Sequence, residues 1–417
     1  MKLPGNFGGL RAIFCKPMYR IYVAGSIASN LGLWVWRIAV GWLTWELTES
    51  TAWLGGMAVA EVAPVMIFGF IAGTIVDRTD YLRLLRGVQM IMLSFGATIA
   101  ALTFADLMTI WILCGITVLR GTGLAFMRPS RMSLVYAIIG REHLPTALAV
   151  NSLIFNGSRF IGPAIGGAVI LAGGVAWGFA VAVSLFFCFT ISLRMLSIEA
   201  RAPKKEAKSL AAESLDGIRY LLAHPGIRTQ MVLVFSMGFF ARPLIDLFPG
   251  FAAQVFAGGA ETLATLMSGL GLGAIFGGIF LASRTAGTKG LTNVTLISML
   301  ISSLTLLAFS ATDTFALALP LVVLMGSSFV AQGIGNQTLI QSAVDPAMRG
   351  RVLSLYGLTV RGMPSIGALI MGGAAESIGL RLPVAAGAAL CFAVWAWAWQ
   401  RRSFYAANLE SPPDEKS

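Results

Sequence analysis

The chain has 417 residues, 57% hydrophobic and 12% charged, with 47 glycines and a formal net charge of +11; its mean hydropathy is +0.79. A soluble protein carries roughly a quarter charged residues, so this composition excludes a soluble multidomain chain and describes one whose solvent is mostly lipid. The positive charge marks no nucleic-acid partner, because it gathers almost wholly at the termini and in alternate loops.

Residues 1–20 are basic and broken by Pro4 and Pro17. They hold no apolar run before a small-residue cleavage site, so no signal peptide is read there and the first apolar span is expected to be retained. A bilayer-crossing helix needs about 20 apolar residues. Runs of that size fall at 21–47, 52–76, 87–105, 108–138, 146–171 and 174–198. The break at 199–228 is basic at first (Arg201, Lys204, Lys205, Lys208), then amphipathic from Ser209, which predicts a short helix lying on the membrane surface. Apolar runs resume at 229–256, 262–283, 290–310, 314–340, 350–375 and 379–400.

Lys and Arg gather at both termini and in every second loop: Lys2, Arg11, Lys16 and Arg20, then Arg78, Arg83 and Arg86, then Arg141, the 199–228 break, Arg284 with Lys289, Arg349 with Arg351, and Arg401 with Arg402. The intervening loops hold Arg381 beside Glu49, Asp106, Glu261, Asp313 and Glu376. This positive-inside asymmetry predicts a multi-pass protein of a bacterial inner membrane with both termini cytoplasmic. Trp395, Trp397 and Trp399 fit an aromatic belt at the cytoplasmic face, and Trp42, Trp45 and Trp53 one at the outer face. Cys15, Cys114, Cys188 and Cys391 are isolated, which gives neither a disulfide framework nor a metal site. No phosphate-binding Gly-x-x-x-x-Gly-Lys-Ser/Thr loop occurs, so nucleotide-driven pumping is not expected, nor is any cofactor.

The two sets of spans are related. At a constant offset of 205, Arg37 matches Arg242, Gly121 matches Gly326, Gly157 matches Gly362, and Ile161-Gly162 matches Ile366-Gly367. Each half also opens with Pro-x-x-Arg, at Pro17 and Pro225. The predicted fold is an all-α membrane protein of twelve transmembrane helices in two six-helix pseudo-repeats. Its parts are an N-terminal bundle at 1–198, a cytoplasmic linker with an amphipathic helix at 199–228, and a C-terminal bundle with a short tail at 229–417. Parallel repeats of this kind place a substrate site near the bilayer midplane.

The loop after the second span reads Gly73-Thr-Ile-Val-Asp77-Arg78, with Arg83 and Arg86 following. This resembles the Gly-x-x-x-Asp-Arg signature of the major facilitator superfamily. The fifth span, Gly157-Ser158-Arg159-Phe160-Ile161-Gly162-Pro163-Ala164-Ile165-Gly166-Gly167, is similar to that superfamily's antiporter motif. Arg128-Pro129-Ser130-Arg131 and Asn151 resemble its subgroup of drug and siderophore exporters. Tyr81 and Leu82 stand where the loop motif usually has basic residues, and Ser158 where the fifth-span motif has glycine. The resemblance, which covers roughly residues 17–400, implies the twelve-helix facilitator fold, export by alternating access, and proton antiport without a cofactor.

Read physically, Gly73, Asp77, Arg78 and Arg83 form a candidate gating latch at a helix end, or a topology anchor. Gly157, Gly162, Gly166 and Gly167 allow close helix approach and Pro163 bends the helix, so this motif serves packing or coupling. Ionisable residues at membrane depth are functional candidates by default: Arg37, Glu61, Arg120, Arg159, Arg242, Asp246 and Arg361. Arg37 and Glu61 lie equally far from the turn near Glu49, which sets them level as a candidate ion pair. Arg242 and Asp246 are four apart, hence on one helix face, where they would neutralise each other or leave Asp246 or Glu61 as a proton carrier. Asn156, Gln332, Asn336 and Gln337 are candidate cavity-lining groups.

Five arginines against two carboxylates favour an anionic, carboxylate- or catecholate-bearing solute gripped by guanidinium forks. The expected activity is therefore proton-coupled efflux of a small amphipathic anion by a monomer in the lipid bilayer. Rival readings are an importer or lysolipid translocator on the same fold, and a non-transporting scaffold or sensor. No clustered catalytic constellation suggests an enzyme.

Overall fold

The computed structural model describes residues 7–197, 210–284 and 287–410. The basic stretch at Arg201–Lys208, together with Lys2 and Lys416, lies outside the described residues, and so does the side chain of Asp77. Apolar runs bounded by caps and turns form the helices. The short α1 (Phe7–Phe14) precedes α2 (Pro17–Thr48), α3 (Thr51–Arg78), α4 (Tyr81–Phe104), α5 (Ile110–Ile139), α6 (Leu144–Gly173) and α7 (Val175–Met195). After α8 (Leu210–Ala223) the next span is composite: α9 (Pro225–Ser236), a π turn at Met237–Ala241, α10 (Leu244–Gly250) and a second π turn at Phe251–Val255. There follow α11 (Ala260–Ala282), α12 (Leu291–Ala311), α13 (Phe315–Ala343), α14 (Arg349–Ile378), α15 (Arg381–Gln400) and the short α16 (Arg402–Leu409).

Eleven spans among the described residues are long and apolar enough to cross a membrane. The remaining long helix, α14, runs for 30 residues. Arg349, Arg351, Arg361 and Glu376 make it less apolar. Contacts sort the chain into two compact units, residues 1–47 with 60–206, and residues 48–59 with 207–417.

Each unit repeats the same internal packing. In the first, α4 packs on α5 and α7; in the second, the corresponding α12 packs on α13 and α15. Gly174 after α6 and Gly379 after α14, again 205 apart, end their helices at φ 88° and 77°, a left-handed turn that glycine adopts without strain. The turns after the first span of each half are also left-handed, at Glu49 and Ala257. The close approach is repeated too. A methyl on Gly162 would sit 2.5 Å from the Trp34 Cβ, and one on Gly367 would meet the Phe239 carbonyl, which lies 205 residues after Trp34.

Charged groups at the helix ends complete backbone hydrogen bonding. Lys16 Nζ donates to the carbonyls of Ile138 and Ile139, both at 3.0 Å, closing α5. Arg86 donates to the carbonyls of Leu193 (2.9 Å) and Leu196 (2.6 Å), closing α7. Asp80 accepts from the amides of Leu82 and Arg83 and starts α4. In the second unit Glu410 accepts from the amides of Gly290 (2.6 Å) and Thr292 (2.9 Å) and starts α12. Arg381, the lone basic residue of its set of loops, pairs with Asp313. Also in the second unit, Glu376 at the end of α14 holds the start of α3. It accepts from Ser50 Oγ (2.6 Å), the Ala52 amide (3.0 Å) and Thr51 Oγ1 (3.3 Å).

The expected outer aromatic belt needs one correction. Trp45 is buried, so it belongs to the packed interior. Trp42 donates its indole N–H to Glu46, one turn on, at 2.6 Å.

Candidate functional site

In the first unit, α2 presents Trp34, Trp36 and Arg37 along one stretch. Arg37 Nη2 lies 3.8 Å from Glu61 Oε2 on α3, because the two helices run antiparallel from a turn midway between them in sequence. Two guanidinium groups lie over Trp34: Arg37 at 5.5 Å and Arg159 of α6 at 5.6 Å from its ring centre. Arg120 of α5 is 4% exposed and stacks on Trp36 at 3.7 Å, with Phe186 at 5.5 Å. Aromatic faces are negative, so they partly replace the hydration this cation has lost. Its Nη1 has no acceptor among the described residues.

Gly121, next to Arg120, brings α5 against α3: a methyl there would lie 2.6 Å from the Glu61 carbonyl. Arg131, about three turns further along α5, is absent from the set of depth charges expected from sequence. It donates to Ser29 Oγ at 2.6 Å and stacks on Phe189 at 4.2 Å. Its place in the Arg128-Pro-Ser-Arg run was the available signal; its depth was not. Asn156 uses its amide on the Ser152 carbonyl of its own helix, at 2.9 Å.

In the second unit the π turn at Met237–Ala241 inserts one residue into the helical register, and the Arg242 amide bonds back five residues to the Met237 carbonyl. Pro243 and the three-residue bonds of Ile245 and Asp246 follow. Arg242 and Asp246 lie on either side of Pro243 in this irregular stretch. The Arg242 guanidinium donates to the Phe329 carbonyl at 3.3 Å and lies over the Phe329 ring. Tyr356 of α14 donates to the Gly333 carbonyl, one turn beyond Phe329, at 3.1 Å.

Gln332 and Asn336, four apart on α13, are both buried, each with one polar atom lacking a protein partner among the described residues. Buried unpaired amides of this kind mark a place for water or a polar ligand. Gln337 lies on the exposed side of the same helix, and Arg361 is exposed on α14.

The comparisons with known proteins agree on the scaffold. The family model described as "Transmembrane secretion effector" matches residues 9–411. This chain belongs to that family, a branch of the major facilitator superfamily of transporters. The enterobactin exporter EntS of Shigella boydii is 26% identical over 365 residues, 86% of this chain and 85% of that protein. The staphyloferrin A transporter of Staphylococcus aureus is 23% identical over 368 residues, 87% and 91% of the two chains. Among solved structures, a bacterial homolog of the human lysosomal transporter Spinster, inward-facing and unoccupied, superposes with TM-score 0.73 at 15% identity, covering 95% of this chain and 99% of that one. The nucleoside transporter NupG superposes with TM-score 0.67 at 16% identity, covering 92% and 99%.

Within this transporter frame the two motifs differ in what they touch. Gly162 and Gly166 face α2, where Trp34 leaves the first room for hydrogen alone and Val35 leaves the second little more. Pro163 and Gly167 are buried beside them. The motif thus seats the helix carrying Arg159 against the helix carrying Arg37. A methyl on Gly157 would meet nothing within 4 Å among the described residues. In the loop motif, a methyl on Gly73 would likewise meet nothing within 4 Å among the described residues, and Arg78 and Arg83 are exposed. The loop arginine that makes structural hydrogen bonds is Arg86.

Proposed function

We propose that this transporter exports a small amphipathic anion of the siderophore type, bearing carboxylates or catecholates, by alternating access coupled to proton antiport. The observation that carries the reading is Arg120, a buried cation with an unsatisfied nitrogen beside aromatic faces. Such a group is costly unless a counter-charge visits it, and an anionic aromatic or carboxylate solute answers both the guanidinium and the rings. Arg37 and Arg159, both against Trp34, extend the same mixture of cation and aromatic surface. Both named relatives carry siderophores in their names, which favours this class over cationic drugs. On this reading the termini face the cytoplasm of the bacterial inner membrane, and the protein works as a monomer.

The test is flux in everted membrane vesicles with an acid interior. A catecholate or hydroxycarboxylate siderophore should accumulate, and collapsing the pH gradient should release it. Arg37→Ala and Arg242→Ala should weaken an anionic solute about tenfold while leaving a neutral analogue within about a factor of two. Equal losses for both solutes would remove the anion preference. Accumulation only in right-side-out vesicles would reverse the direction.

A further inference from the structure

A second feature lies in the second unit, at the end of the bundle where basic residues gather, apart from the groups named in the proposed function. The start of α9, the end of α15 and the first turns of α16 enclose a cavity of about 300 Å³. Its wall is apolar and aromatic: Val232, Trp397, Phe404 and Tyr405. Its charged residues are Arg228 and Arg401. Tyr405 is buried and lies 6.1 Å from Trp397 between ring centres, which fixes the inner wall. Trp397 and Phe404 remain 39% and 54% exposed.

Position decides what such a cavity meets. The helix α15 crosses the membrane and ends in the Trp395–Trp399 run followed by Arg401 and Arg402, so the cavity sits at the level of the interface between headgroups and acyl chains. An apolar recess open at that level fills with lipid rather than water. Neither Arg228 nor Arg401 forms an ion pair among the described residues. The nearest described acidic residue in sequence to Arg401, Glu410, has its carboxylate committed to the start of α12. Arg402 is stacked on Trp399 at 4.5 Å and donates to its carbonyl, leaving the other two guanidinium groups as the positive lining.

We infer that this cavity is a binding site for an anionic phospholipid, with the headgroup phosphate held between Arg228 and Arg401 and the first part of an acyl chain laid against Val232, Trp397 and Phe404. Guanidinium forks match phosphate oxygens, and a zwitterionic lipid brings a positive group that the two arginines repel. Occupation would brace α16 and α15 against α9, the first segment of the composite span that carries Arg242.

The test uses the purified full chain in a neutral detergent. Its thermal midpoint is measured with added phosphatidylglycerol, phosphatidylcholine of the same acyl chains, or inorganic phosphate at equal concentration. The expected result is a rise with phosphatidylglycerol alone. Arg228→Gln combined with Arg401→Gln should weaken the phosphatidylglycerol effect about tenfold or more in concentration, at about a factor of five per arginine. Exchanging both for Lys should keep most of it, and Arg349→Gln, an exposed change elsewhere, should keep all of it. An undiminished response in the Gln pair would overturn the site, as would an equal response to phosphatidylcholine. Equal stabilisation by inorganic phosphate would overturn the lipid assignment. If the Gln pair misfolds, the single Arg401→Gln variant takes its place: a loss of about fivefold supports the site, and an undiminished response overturns it.

Discussion

The guanidinium carbon of Arg120 lies 3.7 Å from the centre of the Trp36 ring, deep in the first unit. A buried cation with an orphan nitrogen detracts from stability, because the desolvation cost exceeds what an aromatic face returns. Stability and function should therefore move in opposite directions here. Arg120→Gln is expected to keep or raise the thermal midpoint of the purified protein while lowering anion affinity about tenfold. A lowered midpoint with unchanged affinity would make Arg120 a structural cation instead.

The glycine pair gives a second prediction. Gly162 and Gly367 occupy equivalent sites of the repeat, each against the first span of its own half. A side chain at either must push helices apart in a close-packed interior, at a cost of about 1–3 kcal/mol. Gly162→Val and Gly367→Val should each lower the thermal midpoint by several degrees. Gly157→Ala, which meets open space, should not. Similar losses at all three positions would mean that intrinsic helix behaviour, rather than contact, sets the effect.

Much of this is legible in the sequence. Spans can be read because each needs a long apolar run, and charge or Gly/Pro breaks must separate them. The level placement of Arg37 and Glu61 follows from a symmetric hairpin, whose geometry depends only on residue count. The seventh span holds a feature that residue counting does not reveal. A π turn adds one residue without changing composition, so nothing in Met237–Ala241 announces that Arg242 will turn to the Phe329 carbonyl. Side-chain choices among alternatives are also hidden. Arg86 rather than Arg83 reaches the end of α7, and Gln332 and Asn336 are buried where Gln337 is not. These depend on which face of a helix a neighbour covers, and nearly all-apolar helices have weakly marked faces.

Glu376 supplies a pH-dependent test. The Ala52 amide and then the Ser50 hydroxyl, with Thr51 behind them, hold its carboxyl below the usual carboxylate range. A depressed value means that the contribution to stability is present above the ordinary carboxylate pKa, and is lost as pH falls through the lower folded-state value. It should be intact at neutral pH and fade below about pH 4. The thermal midpoint of Glu376→Gln should therefore lie below that of the wild type at neutral pH, and the gap should close on acidification. A gap that does not narrow at all on acidification below the ordinary carboxylate value would assign the effect to geometry rather than to the charge.

On the proposed antiport reading, the proton carrier is Asp246 or Glu61, the two carboxylates at depth. Glu61 lies beside Arg37, so its charge is engaged in positioning and balancing that cation. Asp246 follows the π turn, on a segment where Pro243 and three-residue backbone bonds interrupt the regular helix. An irregular stretch of this kind can change its hydrogen bonding between states at low cost, which is what a carboxyl must do to load a proton on one side and release it on the other. Asp246→Asn fixes the neutral form at nearly constant volume. It should abolish accumulation driven by a pH gradient in proteoliposomes, while exchange of solute for solute in the absence of a gradient continues within about threefold of the wild-type rate. The matching Glu61→Gln variant should keep gradient-driven flux and lose solute affinity, since its charge positions Arg37. Gradient-driven flux that survives in Asp246→Asn and disappears in Glu61→Gln would move the proton to the first unit.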